Sequence, residues 1–211
     1  MSETTTASDY AITTIEQLEA LYGVPVPRSL TKEINYISDH YRAFIEASPF
    51  MIIASIAPEG LDCSPRGDPA GFVRVVDDKT VLIPDRPGNN RLDTLKNIIR
   101  DPRVSLLFLI PGAGETLRIN GRARLTTDPG LCASFEINGK APRSIVEVIA
   151  DRVYFQCQKA LVRSKLWAPE TQIIRDTLPT AGEIMAALSE EPFDAAAYDA
   201  GYPEHMKKTI Y

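Results

Sequence analysis

Apolar residues recur every three or four positions along the first fifty residues, and the chain then switches to alternation and short continuous apolar runs. Ile15, Leu18, Leu21 and Tyr22 fall on one stripe, which predicts a helix over 12–22 with Thr13 or Thr14 as its N-cap. Gly23-Val24-Pro25-Val26-Pro27 stops that helix and extends the chain. Ile34, Ile37, Tyr41, Phe44 and Ile45 keep the helical period, so a second helix is expected over 30–47, ended by Ser48-Pro49.

From Phe50 the period shortens. The run 50–56 reads as a buried strand, and Pro58-Glu59-Gly60 as a hairpin turn. Further strands are expected at 72–76, 80–83, 104–110 and 116–125, the last alternating apolar and polar residues as a strand with one wet face does. A helix over 91–99 interrupts them. A short helix over 128–135 takes Asp128 as cap and Pro129 as first residue. Segments 144–150 and 153–157 read as strands on either side of Asp151-Arg152, followed by helices over 159–167, 180–189 and 194–208. Short strands joined by tight turns, with one helix among them, predict a mainly β fold with added helices, a closed or split antiparallel barrel. The expected organisation is a helical N-terminal extension (1–49), a barrel domain (50–170) and a helical C-terminal extension (171–211).

Composition narrows the partners. With 211 residues and 44% apolar content the chain supplies one real core, and a net charge of −5 argues against a general nucleic-acid binder. Cys63, Cys132 and Cys157 are odd in number and far apart, so neither a disulfide framework nor a zinc site is indicated. His40 and His205 are the only histidines, which leaves little for metal sites or histidine triads, and packing or surface roles are expected for them. The polar stretch 1–9 has no basic region followed by an apolar one, and no apolar run reaches membrane-spanning length. A cytoplasmic protein without a membrane partner is expected.

Against that acidic background, clustered arginines need a local explanation. The strand 80–83 runs into Pro84-Asp85-Arg86-Pro87-Gly88-Asn89-Asn90-Arg91 and from there into a helix. A strand that hands over to a helix through such a turn aims unpaired backbone N–H groups and arginine forks at one point, which suits a phosphate. A solvated polar loop is the plainer alternative. Two other segments join it as candidates: Ser64-Pro65-Arg66-Gly67-Asp68 and Arg163-Ser164-Lys165-Leu166-Trp167. Convergence of the three would make an anion pocket with an aromatic wall. Separately, Arg66 could simply pin its turn to Asp68, and Trp167 could simply pack.

In this order, over about Phe50 to Trp167, the segments resemble the pyridoxamine 5′-phosphate oxidase-like family of FMN-binding split barrels. The resemblance implies a six-stranded antiparallel barrel that forms a homodimer, with FMN in clefts at the subunit interface. It implies cofactor contacts from Arg66 and Gly67, phosphate contacts from Arg86, Asn89, Asn90 and Arg91, and a flavin contact from Thr116. Arg163, Ser164 and Trp167 are expected to line the cleft, of the same subunit or the opposite one. Two departures argue against a typical pyridoxamine 5′-phosphate oxidase. Arg66 is followed by Gly67-Asp68-Pro69 rather than by an apolar run ending in lysine, and residues 194–211 lack the tryptophan and arginine-histidine motif that holds that substrate.

The leading expectation is therefore an FMN-dependent oxidoreductase acting on a small molecule, in which the flavin does the redox chemistry and no acid–base pair is required. The alternatives are a non-catalytic dimer that binds or senses flavin, a deazaflavin-dependent reductase, and an interaction dimer that has lost its ligand. A metal site is not expected, and neither is haem, because both histidines lie outside the barrel segment.

Overall fold

The computed structural model describes residues 10–211; the polar stretch 1–9, expected to carry no export signal, lies outside them. The chain forms two compact units, one up to Glu33 and one from Ile34 to Tyr211. In the first, α1 (Ile15–Tyr22) is closed at its start by a reciprocal cap: Thr14 accepts from the Gln17 amide while the Gln17 side chain accepts from the Thr14 amide. Gly23, at φ 73°, ends it. A short helix α2 (Pro27–Thr31) begins on a proline, whose missing N–H is no loss in a first turn.

The single helix expected over 30–47 does not form. The chain is helical at Pro27–Thr31 and again in α3 (Asp39–Ala47), with an extended link between them. Ile34 exchanges two backbone hydrogen bonds with Val153 there, and the Ile37 amide donates to the Asp78 carbonyl. Those pairings use the backbone groups a helix needs, so tertiary context overrides the three-and-four spacing. Ser38 then caps α3 by accepting from the Tyr41 amide at 3.3 Å, and Tyr41 and Ile45 are its buried face.

The second unit is built on a seven-stranded antiparallel sheet in the order β2-β1-β5-β6-β7-β4-β3. The strands are β1 (Phe50–Ala57), β2 (Gly60–Gly67), β3 (Arg74–Val75), β4 (Thr80–Asp85), β5 (Arg103–Leu109), β6 (Thr116–Thr126) and β7 (Ser144–Gln156). Six are long and β3 has only two residues, shorter than the strand expected at 72–76. The two strands expected over 144–157 are one strand of 13 residues. α4 (Asp93–Arg100), α5 (Pro129–Ser134), α6 (Lys159–Ser164), α7 (Ala181–Leu188) and α8 (Ala195–Thr209) fall within or close to the stretches where the pattern predicted helices.

Alternate residues of the strands build the core. Met51 and Ile53 of β1 stand beside Phe108 and Leu106 of β5, which stand beside Leu117 and Ile119 of β6, and all six are 0 or 1% exposed. Ser48 is also fully buried; its hydroxyl lies 2.6 Å from the Phe50 carbonyl and 2.8 Å from that of Leu109, so it can donate to either. The sheet curls. β2 is the first strand in the order and β4 the sixth, yet Arg66 of β2 reaches to 3.9 Å from Asp85 of β4. β2 and β3 do not pair with each other, so the curled sheet stays open at one seam. No helix of the described residues is long and apolar enough to cross a membrane.

One glycine controls how β6 and β7 fit. Their register shifts between Asn120 and Gly121. A Cβ on Gly121 would stand 2.2 Å from the Ile149 carbonyl oxygen, so only glycine lets the two backbones approach at this bulge. Gly121→Ala is therefore expected to destabilise the protein by at least about 2 kcal/mol, because the obstruction is main chain and cannot rotate away. Equilibrium unfolding in urea checks this, and an unchanged midpoint contradicts it.

Candidate functional site

The curl brings the end of β2, the end of β4 and the start of α4 around one cleft of about 640 Å³. That volume lies within the range of small-molecule pockets. Ser64, Pro65, Arg66 and Gly67 come from β2; Pro84 and Asp85 come from β4; the turn 86–92 lines it as well. Asp62 ties two of these pieces together, accepting from Ser64 Oγ at 2.9 Å and from Thr94 Oγ1 of α4. Thr94 is 3% exposed, so this link anchors the first turn of α4 from beneath.

The turn between β4 and α4 is held by its own side chains. Asn89 Oδ1 accepts from the Arg91 amide at 3.1 Å, and Lys96 reaches back to donate to the Arg91 carbonyl at 2.8 Å. Asn90 at φ 58° and Leu92 at φ 62° both take the left-handed conformation. That is ordinary for asparagine but costs leucine roughly 1–2 kcal/mol. Leu92 occupies the N-cap position and no side chain caps α4, so the first-turn N–H groups keep their capacity for an acceptor.

Four arginines line the cleft: Arg66, Arg86, Arg91 and Arg143. They differ in how firmly the protein holds them. Arg86 Nε donates to Asp68 Oδ2 at 2.7 Å, with the Asp68 side chain 1% exposed, and Nη1 donates to the Phe135 carbonyl at 2.9 Å. Arg66 donates to the Pro65 carbonyl at 2.9 Å and keeps a looser approach to Asp85. Arg91 pairs with Asp93 at 2.8 Å on an exposed surface, a contact of small net worth. Arg143, just before β7, has no hydrogen bond or ion pair among the described residues. Its neighbour Ser144 lies opposite Asp85 in the register of β4 and β7.

The cleft gathers six of the ten residues singled out in the sequence: Arg66, Gly67, Arg86, Asn89, Asn90 and Arg91. It does not gather the other four. Thr116 starts β6, opposite Gln156. Arg163 is exposed, and Ser164 Oγ donates within its own helix to the Leu161 carbonyl. Trp167 is half-buried and its indole Nε1 donates at 2.7 Å to the Ala113 carbonyl, tying the segment after α6 to the turn before β6. Arg143 escaped the sequence reading. It belongs to no motif, and the β4–β7 pairing that brings it to the cleft is a long-range fact.

The cleft is suited to an anion with several oxygens. Arginine forks, backbone N–H groups at an uncapped helix start and a polar turn meet there, in a protein that is acidic overall. Asp85 is the counterweight. Burial pushes its carboxyl above the ordinary value of 3.8, while Arg66 and then Arg143 pull it back. A raised carboxyl binds its proton more readily folded than unfolded, so its contribution to stability declines as pH rises above that ordinary value. Asp85→Asn is expected to flatten the stability–pH curve in the acid range, to raise stability at pH 7, and to tighten anion binding about tenfold by removing a negative charge. Urea unfolding between pH 4 and 7 and a phosphate titration check both effects; loss of anion affinity in Asp85→Asn contradicts the assignment.

Among curated proteins, no sequence matches this chain. Among solved structures, HupZ from Group A Streptococcus is similar, with 16% identity, 56% of this chain and 91% of that chain covered, and a TM-score of 0.46. General Stress Protein 26 from Bacillus anthracis shares 13% identity over 54% of this chain and 88% of its own, with a TM-score of 0.42. The FAD binding protein from Mycobacterium smegmatis shares 14% identity over 58% of this chain and 97% of its own, with a TM-score of 0.38. The sequence profile described as pyridoxamine 5′-phosphate oxidase matches residues 37–157, which takes in β1 to β7 and every residue lining the cleft. Over more than half its length, and through the strands that build its site, the chain belongs to the pyridoxamine 5′-phosphate oxidase family.

Proposed function

We propose that this protein binds FMN in the arginine-lined cleft and serves as a flavin-dependent oxidoreductase for a small molecule. The observation that carries the reading is the convergence of Arg66, Arg86, Arg91 and Arg143 with the uncapped start of α4 on one cleft. Family membership supports a flavin as the ligand, and the arginines support a fit to its phosphate. The first-turn N–H groups of α4 and the free end of Arg86 would hold that phosphate, with Arg143 adding a cation from the start of β7. Asn89 and Asn90 keep the turn in shape. When bound, the flavin supplies electron or hydride exchange with the small molecule, and the chain's part is to bind, orient and exclude water. FMN is expected to bind at least tenfold more tightly than riboflavin, because charge-assisted hydrogen bonds to a phosphate are worth about 1.5–3 kcal/mol. Arg143→Ala is expected to narrow that preference without lowering thermal stability. Fluorescence titration with the two flavins tests the reading, and equal affinities contradict it. Bleaching of bound FMN by NADH or NADPH without air separates the enzyme from a protein that only binds flavin.

The protein is further proposed to work as a homodimer. The outward side of β1 and β5 carries Ile52 opposite Leu107 and Phe50 opposite Leu109, side chains that the chain covers only in part. Leu61, opposite Ile56 at the β2 edge, is 82% exposed. A second copy is the occupant that suits this face, because β1 pairs with β2 where Pro65 and Arg66 border the cleft. Thr116, Arg163, Ser164 and Trp167, absent from the cleft of their own chain, would then reach flavin only across such an interface. Sedimentation should give twice the monomer mass, and Leu107→Glu should give monomers that bind FMN more weakly; a wild-type monomer binding FMN at full affinity contradicts the dimer.

A further inference from the structure

We propose that Tyr211 is a positioning residue of the cleft: with Asp68 and Lys140 it clamps the Arg86 guanidinium so that its Nη2 end faces an incoming anion. This rests on the anion-binding reading of the cleft given above. Asp68 follows β2 directly and its side chain is 1% exposed, so both carboxylate oxygens need donors. Oδ2 takes Arg86 Nε at 2.7 Å, and Oδ1 takes the Tyr211 hydroxyl at 2.5 Å from 143 residues away. The Tyr211 ring lies with its centre 5.5 Å from the Arg86 guanidinium carbon, within range of a cation–π contact. Lys140, in the tight turn after α5, donates to the Tyr211 carbonyl and holds the residue in place.

The division of Asp68 between two donors matters for the cleft. A lone carboxylate beside an arginine prefers the two-pronged pairing in which Nε and Nη2 both point at it. Here the phenol takes Oδ1, and Arg86 engages Asp68 through Nε only, on Oδ2. Nη1 is fixed by the Phe135 carbonyl, and Nη2 has no protein partner among the described residues. The phenol also draws negative charge away from the arginine. Consistent with a donor held on a carboxylate, the Tyr211 hydroxyl is pushed above its ordinary value by its hydrogen bond to Asp68. Without the hydroxyl, Asp68 is free to rotate and take Nη2, and the arginine turns from the cleft.

Tyr211→Phe in the full chain keeps the ring and removes only the hydroxyl. FMN affinity is expected to fall about tenfold with riboflavin affinity unchanged, since only the phosphate meets Arg86. In the flavin-free protein, exchange of the Arg86 Nε–H followed by NMR is expected to accelerate at least tenfold. Lys140→Gln should shift both readouts the same way by a smaller factor, and it takes over as the test if Tyr211→Phe does not fold. An unchanged ratio of FMN to riboflavin affinity overturns the proposal even where thermal stability drops, because a purely structural role moves stability alone. If wild-type protein does not prefer FMN to riboflavin, the reading of the cleft fails instead. The clamp is then judged on Nε–H exchange, and unchanged exchange overturns it.

Discussion

The ion pair between Arg86 and Asp68 is the contact on which the geometry of the cleft depends. It joins the chain leaving β2 to the chain leaving β4, two strands far apart in sheet order, and does so where almost no water reaches the carboxylate. Removing charges from water is unfavourable unless every lobe of charge finds a partner, so a pair in this position is strict about its neighbours. The Phe135 carbonyl and the Tyr211 hydroxyl meet that requirement from two other parts of the chain. Three segments that share no secondary-structure element are thereby referred to one guanidinium. Such a pair is a weak source of net stability but a strong source of definition, since removing either member strands a buried charge.

Around that fixed point the remaining cations are progressively looser. Arg66 is held by one carbonyl and a distant carboxylate, Arg91 by an exposed partner, and Arg143 by none among the described residues. A pocket with one rigid cation and several adaptable ones can set the position of an anion first and adjust to its outline afterwards. The turn supports the rigid end. Its side chains hydrogen-bond its own backbone, and Leu92 accepts an unfavourable conformation that leaves the start of α4 open to the cleft.

Much of this was legible in the sequence, for reasons that differ between fold and site. β1 and β5 could be read from their short continuous apolar runs and β6 from its alternation, whereas β2, with Asp62, Ser64, Pro65 and Arg66 along it, carried no such pattern. The caps at Thr14 and Asp128 could be read because capping is local chemistry. The break after Thr31 could not, because the bonds made by Ile34 go to Val153, a partner far along the chain. The site divides along the same line. Arg66 stands near the end of β2 and Arg86 and Arg91 in the turn after β4, in local sequences whose composition announces them, while Arg143 and Tyr211 acquire their places only through strand register and a long-range side-chain bond. Trp167 is the converse case, an aromatic in a polar neighbourhood that the sequence marks out but whose indole bonds to the Ala113 carbonyl within its own chain, away from that chain's cleft.

The long reach from Asp68 to Tyr211 also sets an order of events during synthesis. Several sheet pairings join strands that are close in sequence, such as β1 with β2 and β5 with β6, and can form as the chain emerges. The surroundings of Arg86 cannot, because one contact comes from Phe135 and another from Tyr211. Closing a loop of that length is slow relative to local pairing. The barrel can therefore be assembled while translation continues, and Arg86 can meet Asp68 and Phe135 early, but the second oxygen of Asp68 gains its tyrosine donor only once residue 211 has cleared the ribosome.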